Sequence, residues 1–376
     1  MRVLHVIEAT IGGTRRHVVD LTRGLAARGV EVSLVAAAVR EPAFRRDLAA
    51  LEAEGVRTFE LPMTRAIRPH TDFAHLRWLE RHLQREQPDI VHTHSSKAGV
   101  LGRLASMSAG IGRRVHTPHT FAFLFRAMFG PLKQGLFRAL EAHLASATDL
   151  SIAVSAGEAE TMRSSGVVPP DRIRIVPNGI DPAPWVRAEP ADLSGLGVGP
   201  GATLCVVAGL LNPAKGQDLA LRALAQPGAG DVHLLLAGHG ESESALRALA
   251  RELGVAERVS FLGWRDDVPR LFAAADFVCL PSRWEGMPYA LLEALAAGRP
   301  VVATRVDGAR ELVDTSCGAL VALESAAELG AAFAQQVELG PLGRAALGAA
   351  GRLRLTAGYS RNAMVSGLLE AYAELA

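Results

Sequence analysis

The sequence predicts an α/β protein of two doubly wound domains, each a parallel sheet covered by helices on both faces. Three observations predict it. At 376 residues the chain exceeds what one hydrophobic core usually organises, so two domains of about 150 to 200 residues are expected. Short apolar runs bounded by turn residues alternate with longer helical patterns, the rhythm of strand, crossover helix and parallel strand. That rhythm starts twice.

The first start is "RVLHVI", followed by the helical "RRHVVDLTRGLAARG", the strand "VEVSLVAAAV", and later "PDIVHTHS" with the helix "KAGVLGRLASMSAG". The second is "TLCVVAGLL", continued by "DVHLLLAG", "RVSFLG", "DFVCLPS" and "RPVVATRV". Between them, residues 181–201 hold four prolines and four glycines, which reads as an interdomain linker. The expected domains are therefore 1–184 and 185–355, with an amphipathic helix closing the chain over 356–376. "MRVLHVIEATIGG" lacks the apolar region and cleavage site of a signal peptide, and no apolar run approaches the roughly 18 to 20 residues that span a bilayer. A formal charge of +1 with 21% charged residues gives no footprint for nucleic acid. Cys205, Cys279 and Cys317 lack metal spacing, are expected to be small core residues, and suit a reducing cytoplasm.

In open sheets of this kind ligands bind at the carboxyl ends of the strands, so the loops after strands carry the information. In "EATIGGTRRH" Gly12 and Gly13 separate the first strand from the first helix. Paired glycines let a ligand reach backbone and helix N-terminus, although a tight connection needs them without any ligand. There is no G-x-G-x-x-G, which disfavours a dehydrogenase. "IVHTHSSK" and "VHTPHTFAF" put His92, His94, His116 and His119 at consecutive strand ends. Without an accompanying Asp, Glu or Cys at ligand spacing, no metal site is expected. Three of these histidines read as hydrogen-bonded structural groups, whereas His119, after Pro118 and before the loop-like "TFAF", is placed to bond a ligand or handle a proton.

In "GLLNPAKGQD" Lys215 follows a strand and turn and precedes a helix, where a compact cation stabilises phosphate oxygens; a solvated lysine is the plainer alternative. In "PSRWEGMPYALLEALAAG" Gly286 frees the loop and Pro288 is expected as the first helical residue. The amides of Gly286, Met287 and Tyr289 then form an anion site, with Glu285 at its rim. Glu293 lies on an otherwise apolar helix, where a carboxylate needs partners such as the hydroxyls of a ribose.

Together these residues resemble the family 4 glycosyltransferases. The match rests on "GGTRRHVVDLTRGLAARGVEV", "PDIVHTHSSKAGVLGRLAS", "HTPHTFAF", "VSAGEAE", "IVPNGID", "AKG", "FLGWRDDV" and "EGMPYALLEALAAGRPVVAT", in order and over nearly the whole chain. The resemblance implies the GT-B fold: two Rossmann-like domains facing across a cleft, an acceptor-binding N-terminal one and a nucleotide-sugar-binding C-terminal one, with the last helix crossing back to the first. It implies that Glu285 lies near the donor sugar, Glu293 holds the ribose, and the helix N-terminus between them receives the diphosphate. His119 matches the active-site histidine, Gly12 and Gly13 the glycine loop, and Lys215 the diphosphate lysine. Asn178 carries over as donor-binding, and base recognition is expected around Trp264 and Arg265.

The activity implied is retaining hexosyl transfer from a nucleotide-diphosphate sugar, a UDP-sugar favoured, to an acceptor hydroxyl on a glycan, a lipid-linked sugar or a small natural product. No metal or cofactor is implied, and the histidine-rich segment looks most like bacterial surface-polysaccharide or natural-product enzymes. The chain departs from the family at Leu210, where an arginine usually pairs with the lysine. Arg283, Arg305 or Arg16 are candidates to replace it. Otherwise the donor is unusual or the chain is a weak or inactive, nucleotide-binding homologue; a sugar-nucleotide epimerase is the other alternative. From Lys97 to Ala145 there are seven Lys or Arg and one acid, with Phe121, Phe123, Phe125, Phe129 and Phe137. That composition suits a peripheral contact with an anionic membrane, or phenylalanines that are simply core.

Overall fold

The computed structural model describes residues 1–121, 123 and 130–375. It contains two compact units, one of Met1–Asn178 with Arg361–Ala376, the other of Gly179–Ser360.

The first unit is a sheet of β1 (Arg2–Ile7), β2 (Glu31–Ala36), β3 (Arg57–Glu60), β4 (Ile90–His94), β5 (Arg113–Thr117), β6 (Leu150–Ala153) and β7 (Ile173–Ile175), in the order β3-β2-β1-β4-β5-β6-β7. Every pairing is parallel. The second is a sheet of β8 (Thr203–Ala208), β9 (Val232–Ala237), β10 (Val259–Gly263), β11 (Phe277–Leu280), β12 (Val301–Thr304) and β13 (Gly318–Val321), in the order β10-β9-β8-β11-β12-β13, again all parallel. The alternating runs of the sequence thus become two doubly wound sheets. Strand order reverses between β1 and β4 and between β8 and β11, and the crevice beyond such a reversal is where open α/β sheets bind ligands.

Strands buried on both faces need near-continuous apolar sequence, as "VHLLLA" of β9, fully buried, shows. The helix Gly13–Ala26 turns Val18, Leu21 and Leu25 onto the first sheet, an i, i+3, i+7 stripe. Met364, Val365, Leu368 and Tyr372 of the helix Arg361–Ala373 join that same core, which is why the last helix belongs to the first unit. Cys205, Cys279 and Cys317 are all buried.

The stretch 181–201 is not a free linker. Trp185 is buried against Phe272, ring centroids 5.4 Å apart, Ala191 N–H donates to the Arg270 carbonyl at 2.9 Å, and Ala191 and Leu193 pack with Ala237 and Leu271. Apolar residues interspersed among its prolines give the segment something to bury, so it clads the second unit. The chain changes unit at Asn178/Gly179, ahead of the break expected near residue 185.

Candidate functional site

In the first unit the strand ends converge on histidine. His5 Nδ1 lies 3.0 Å from His94 Nε2, and His94 Nδ1 lies 3.4 Å from His119 Nε2. His92 bonds Tyr372 Oη at 2.6 Å and Thr117 Oγ1 at 2.8 Å, while His116 Nδ1 lies 2.9 Å from Thr93 Oγ1. His17 Nδ1 is 2.8 Å from Asn178 Oδ1. Burial lowers the pKa of each: His5 to about 3, aided by the neighbouring His17, and His17 to about 4 despite the Asn178 bond. His92, His94, His116 and His119 fall well below 6.5 for the same first cause. All are therefore neutral at pH 7, with one N–H apiece. His94 must then donate through one nitrogen and accept through the other, so the tautomers of His5, His94 and His119 are set together.

Asn178 thus sits inside the first unit, fixing His17. Two triplets, His5/His92/His94 and His17/His94/His119, bring their ring nitrogens within 4.8 Å. Sequence spacing did not foresee that proximity, because His5 and His17 come from other elements.

His119 and Thr120 adopt left-handed backbone, φ 51° and 82°, which costs a non-glycine residue free energy unless the surroundings impose it. Glu158 imposes it. Its buried carboxylate accepts from Thr120 N–H at 2.7 Å and from Val154 N–H at 2.8 Å, tying the His119 turn to the end of β6. Glu158 lies in the "VSAGEAE" match, but its role was not legible because the partners are backbone amides. Glu8, at the end of β1, was also missed: it is buried, burial pushes its carboxyl up, and Arg40, Arg65 and Lys97 pull it down. Beyond it Gly12 caps the helix Gly13–Ala26 at φ 63°, ψ −137°, a conformation that requires glycine.

In the second unit the loops after β8 and β11 are stitched together. Asn212 Oδ1 accepts from Lys215 N–H at 3.2 Å, closing the turn that carries Lys215. A Cβ on Gly216, φ 65°, would meet the Pro281 carbonyl oxygen at 2.0 Å, so only glycine lets the two loops touch. Arg283 N–H donates to the Ala214 carbonyl at 2.8 Å. Across this seam Lys215 Nζ lies 2.6 Å from Glu285 Oε1, and Ser282 Oγ donates to the same oxygen at 2.8 Å. The two residues singled out for diphosphate and sugar are one half-exposed ion pair.

Pro288 is the N-cap of the helix Tyr289–Ala296, with extended ψ of 124°, and not its first helical residue as expected; its fixed φ suits the approach equally well. Met287 and Tyr289 are buried, and Glu293 is half-buried on the helix. A Cβ on Gly308 would meet the Gly286 carbonyl oxygen at 2.5 Å, so the short helix Asp307–Leu312 after β12 braces the Gly286 turn. Trp264 is 48% exposed, its Nε1 donates to Asp266 Oδ1 at 3.0 Å, and its ring stands 5.3 Å from that of His239. Arg265 clasps Asp267 through two bonds of 2.7 Å.

Arg283 is not a spare cation in place of the arginine missing at Leu210. It donates to both Asp218 oxygens at 2.8 Å and to Glu324 at 2.6 and 3.1 Å, and the Asp218 bond holds its guanidinium above the ordinary range. Arg305, at 3.4 Å from the Leu320 carbonyl, and Arg16, at 3.4 Å from Asp20 in the first unit, are the other two.

The basic segment is largely neutralised. Lys97 pairs with Asp72 at 2.6 Å, Arg103 with Glu141 at 2.7 Å, and Arg113 and Arg114 with Asp149 at 3.7 and 3.3 Å. Phe121 and Phe123 stack at 5.0 Å over a small core cluster, and Phe137 is half-buried. Phe125 and Phe129 lie outside the described residues.

Comparison with known proteins bears on the family and the fold. The family model Glycosyltransferase Family 4 matches residues 11–184, and the model Glycosyl transferases group 1 matches residues 201–338. The chain is 32% identical over 269 residues to the UDP-Gal:alpha-D-GlcNAc-diphosphoundecaprenol alpha-1,3-galactosyltransferase of Escherichia coli, covering 69% of each chain. It is 33% identical over 336 residues to the D-inositol 3-phosphate glycosyltransferase of Mycobacterium sp. (strain JLS), covering 82% of this chain and 74% of that one. Among solved structures, Anabaena Alr3699/HepE in complex with UDP and glucose superposes with a TM-score of 0.82 at 22% identity over 100% of both chains. Sucrose-phosphate synthase from Thermosynechococcus elongatus gives 0.83 at 20%, over 100% of this chain and 99% of that one. Two parallel Rossmann-like sheets matching the GT-B fold, the matched motifs and these relatives make the chain a member of the family 4 glycosyltransferases.

Proposed function

We propose that the chain is a retaining, metal-independent hexosyltransferase that takes its sugar from a UDP-sugar and delivers it to an acceptor hydroxyl, on a lipid-linked glycan or a small natural product, at the cytoplasmic side. The observation that carries the reading is the seam between the loops after β8 and β11, which presents Lys215 beside Glu285 at the strand-order reversal of the second sheet. Free buried thiols accord with a reducing compartment.

A diphosphate arriving at this seam competes with Glu285 for the Lys215 ammonium, and Glu285 in turn becomes free to accept from sugar hydroxyls. Glu293 accepts from the ribose, and the loop Gly286–Pro288 together with the helix Tyr289–Ala296 places backbone dipoles at the leaving phosphate. As the glycosidic bond to diphosphate breaks, charge grows on the leaving oxygen, where Lys215 stabilises it. The acceptor hydroxyl attacks from the same face and passes its proton to the departing phosphate. His119, neutral and held by the Glu158 clamp, is a hydrogen-bonding group rather than a cation.

The test is a thermal-shift panel of UDP, GDP, ADP, dTDP and CMP with their common sugars, on wild type, Lys215→Ala and Glu293→Ala. Selective stabilisation by UDP and its sugars is expected, with affinity reduced about 10- to 100-fold in Lys215→Ala, the worth of one charge-assisted phosphate contact. Leu210 sustains a second reading, a nucleotide-binding homologue of weak activity. A UDP shift without UDP release in the presence of any acceptor would favour it, and no nucleotide shift at all would sink both.

A further inference from the structure

Arg283 commits every N–H of its guanidinium to the loops around Lys215. Its Nε donates to Glu324 Oε1 at 2.6 Å, one terminal nitrogen to the Pro213 carbonyl at 2.7 Å and to Asp218 Oδ1 at 2.8 Å, and the other to Asp218 Oδ2 at 2.8 Å and Glu324 Oε2 at 3.1 Å. An arginine has five such donors, and all are engaged. Its backbone N–H also donates to the Ala214 carbonyl at 2.8 Å. Pro213 and Ala214 are the two residues before Lys215, Asp218 lies in the first turn of the helix Gln217–Leu224 just after it, and Arg283 itself stands two residues before Glu285. Loops after β8, β11 and β13 are thereby tied at one point.

The tie is kept at a cost. Glu324 adopts left-handed backbone, φ 59°, which a residue with a Cβ holds only when its surroundings impose it, and its two bonds to Arg283 do so. With 24% of its side chain exposed, Arg283 is more than a solvated surface partner: planar forks onto two carboxylates fix its orientation as well as its charge. Reaching out to a phosphate would break those bonds.

We propose that Arg283 is a positioning residue, which fixes the Pro213–Lys215 turn against the loop carrying Glu285 and so sets where the Lys215 ammonium meets the donor diphosphate. Leu210 supplies no cation, so the accuracy with which Lys215 is held decides the contact. The proposal rests on the reading of Lys215 as a diphosphate ligand and adds to it a residue that touches no part of the donor.

The experiment is a double-mutant cycle read by calorimetric titration with UDP, on wild type, Arg283→Met, Lys215→Ala and the double variant. Arg283→Met is expected to weaken UDP binding about fivefold to tenfold, part of the effect carried by Lys215 itself. In the Lys215→Ala background the same change should cost less than about twofold, because a residue acting through Lys215 has nothing left to position. Arg283→Lys, which keeps the charge and loses the fork, should stay weakened. Glu324→Gly relieves the left-handed strain and removes one side of the clamp. It is expected to melt no lower than wild type and still to lose about threefold in UDP affinity, which keeps the test decisive should Arg283→Met fail to fold. Additive losses in the cycle, or full recovery by Arg283→Lys, overturn the proposal while the donor reading stands. Absence of UDP binding in wild type, or a Lys215→Ala variant that binds UDP as well as wild type, overturns that reading and the proposal with it.

Discussion

The two units use one topology and opposite polar chemistry at their strand ends. In the first, five buried histidines and the half-buried His119 stand neutral, bonded to one another and to Thr93, Thr117, Asn178 and Tyr372. In the second, a half-exposed Lys215–Glu285 pair spans a seam made possible by Gly216. The difference teaches what each end is ready for. A neutral, dehydrated network holds geometry and resists charge, whereas an ion pair in partial contact with water can exchange one partner for a ligand at low cost.

The largest effect expected from this contrast is acid sensitivity confined to the first unit. His5 and His17 titrate at about 3 and 4 in the folded protein and near 6.5 unfolded. Between those values the unfolded chain binds more protons, so their contribution to stability is complete above pH 6.5 and is lost as the pH falls. These two alone remove about 4 kcal/mol by pH 5, and the other four act in the same direction. The second unit contains only His233 and His239. Hydrogen exchange at pH 5 should therefore show β1, β4 and β5 losing protection before β8, β11 and β12; simultaneous loss would break the comparison.

Next in size is the buried pair beneath the histidines. Arg103→Met leaves Glu141 buried without its partner and should cost about 3 to 5 kcal/mol, while Arg103→Met/Glu141→Leu should recover most of it, read from urea unfolding. In the second unit Gly216→Ala forces a Cβ onto the Pro281 carbonyl at positive φ and should cost about 2 to 4 kcal/mol. Its UDP shift should fall with it, because Lys215 rides on that turn. The smallest effect belongs to Trp264→Ala, whose ring is half exposed: stability should stay within about 0.5 kcal/mol, and only affinity for the nucleoside base should change.

Periodicity carried the fold because parallel strands buried on both faces leave an unmistakable apolar rhythm. Motif residues such as Lys215 and Glu285 stood out in the sequence because each follows a strand. Their pairing was not, since it depends on Gly216 letting loops 70 residues apart meet. The histidine network was half legible: strand-end positions gave His92, His94, His116 and His119, but His5 sits mid-strand in an apolar run and His17 on a helix. Glu158 and Glu8 escaped because a carboxylate serving backbone amides, or buried by neighbouring elements, has no spacing signature. The stretch 181–201 was misread because proline and glycine mark irregular backbone, and irregular backbone with Trp185 and Leu193 in it packs.

The helix Arg361–Ala373 has a consequence for biosynthesis. It supplies Met364, Val365, Leu368 and Tyr372 to a core whose other members are made first, and it follows the whole second unit along the chain. A ribosome therefore completes Gly179–Ser360 while the core of the earlier unit still lacks Met364, Val365 and Leu368, and His92 lacks its tyrosine. The later-made half can therefore finish folding before the earlier-made one, whose core closes only when its last helix arrives.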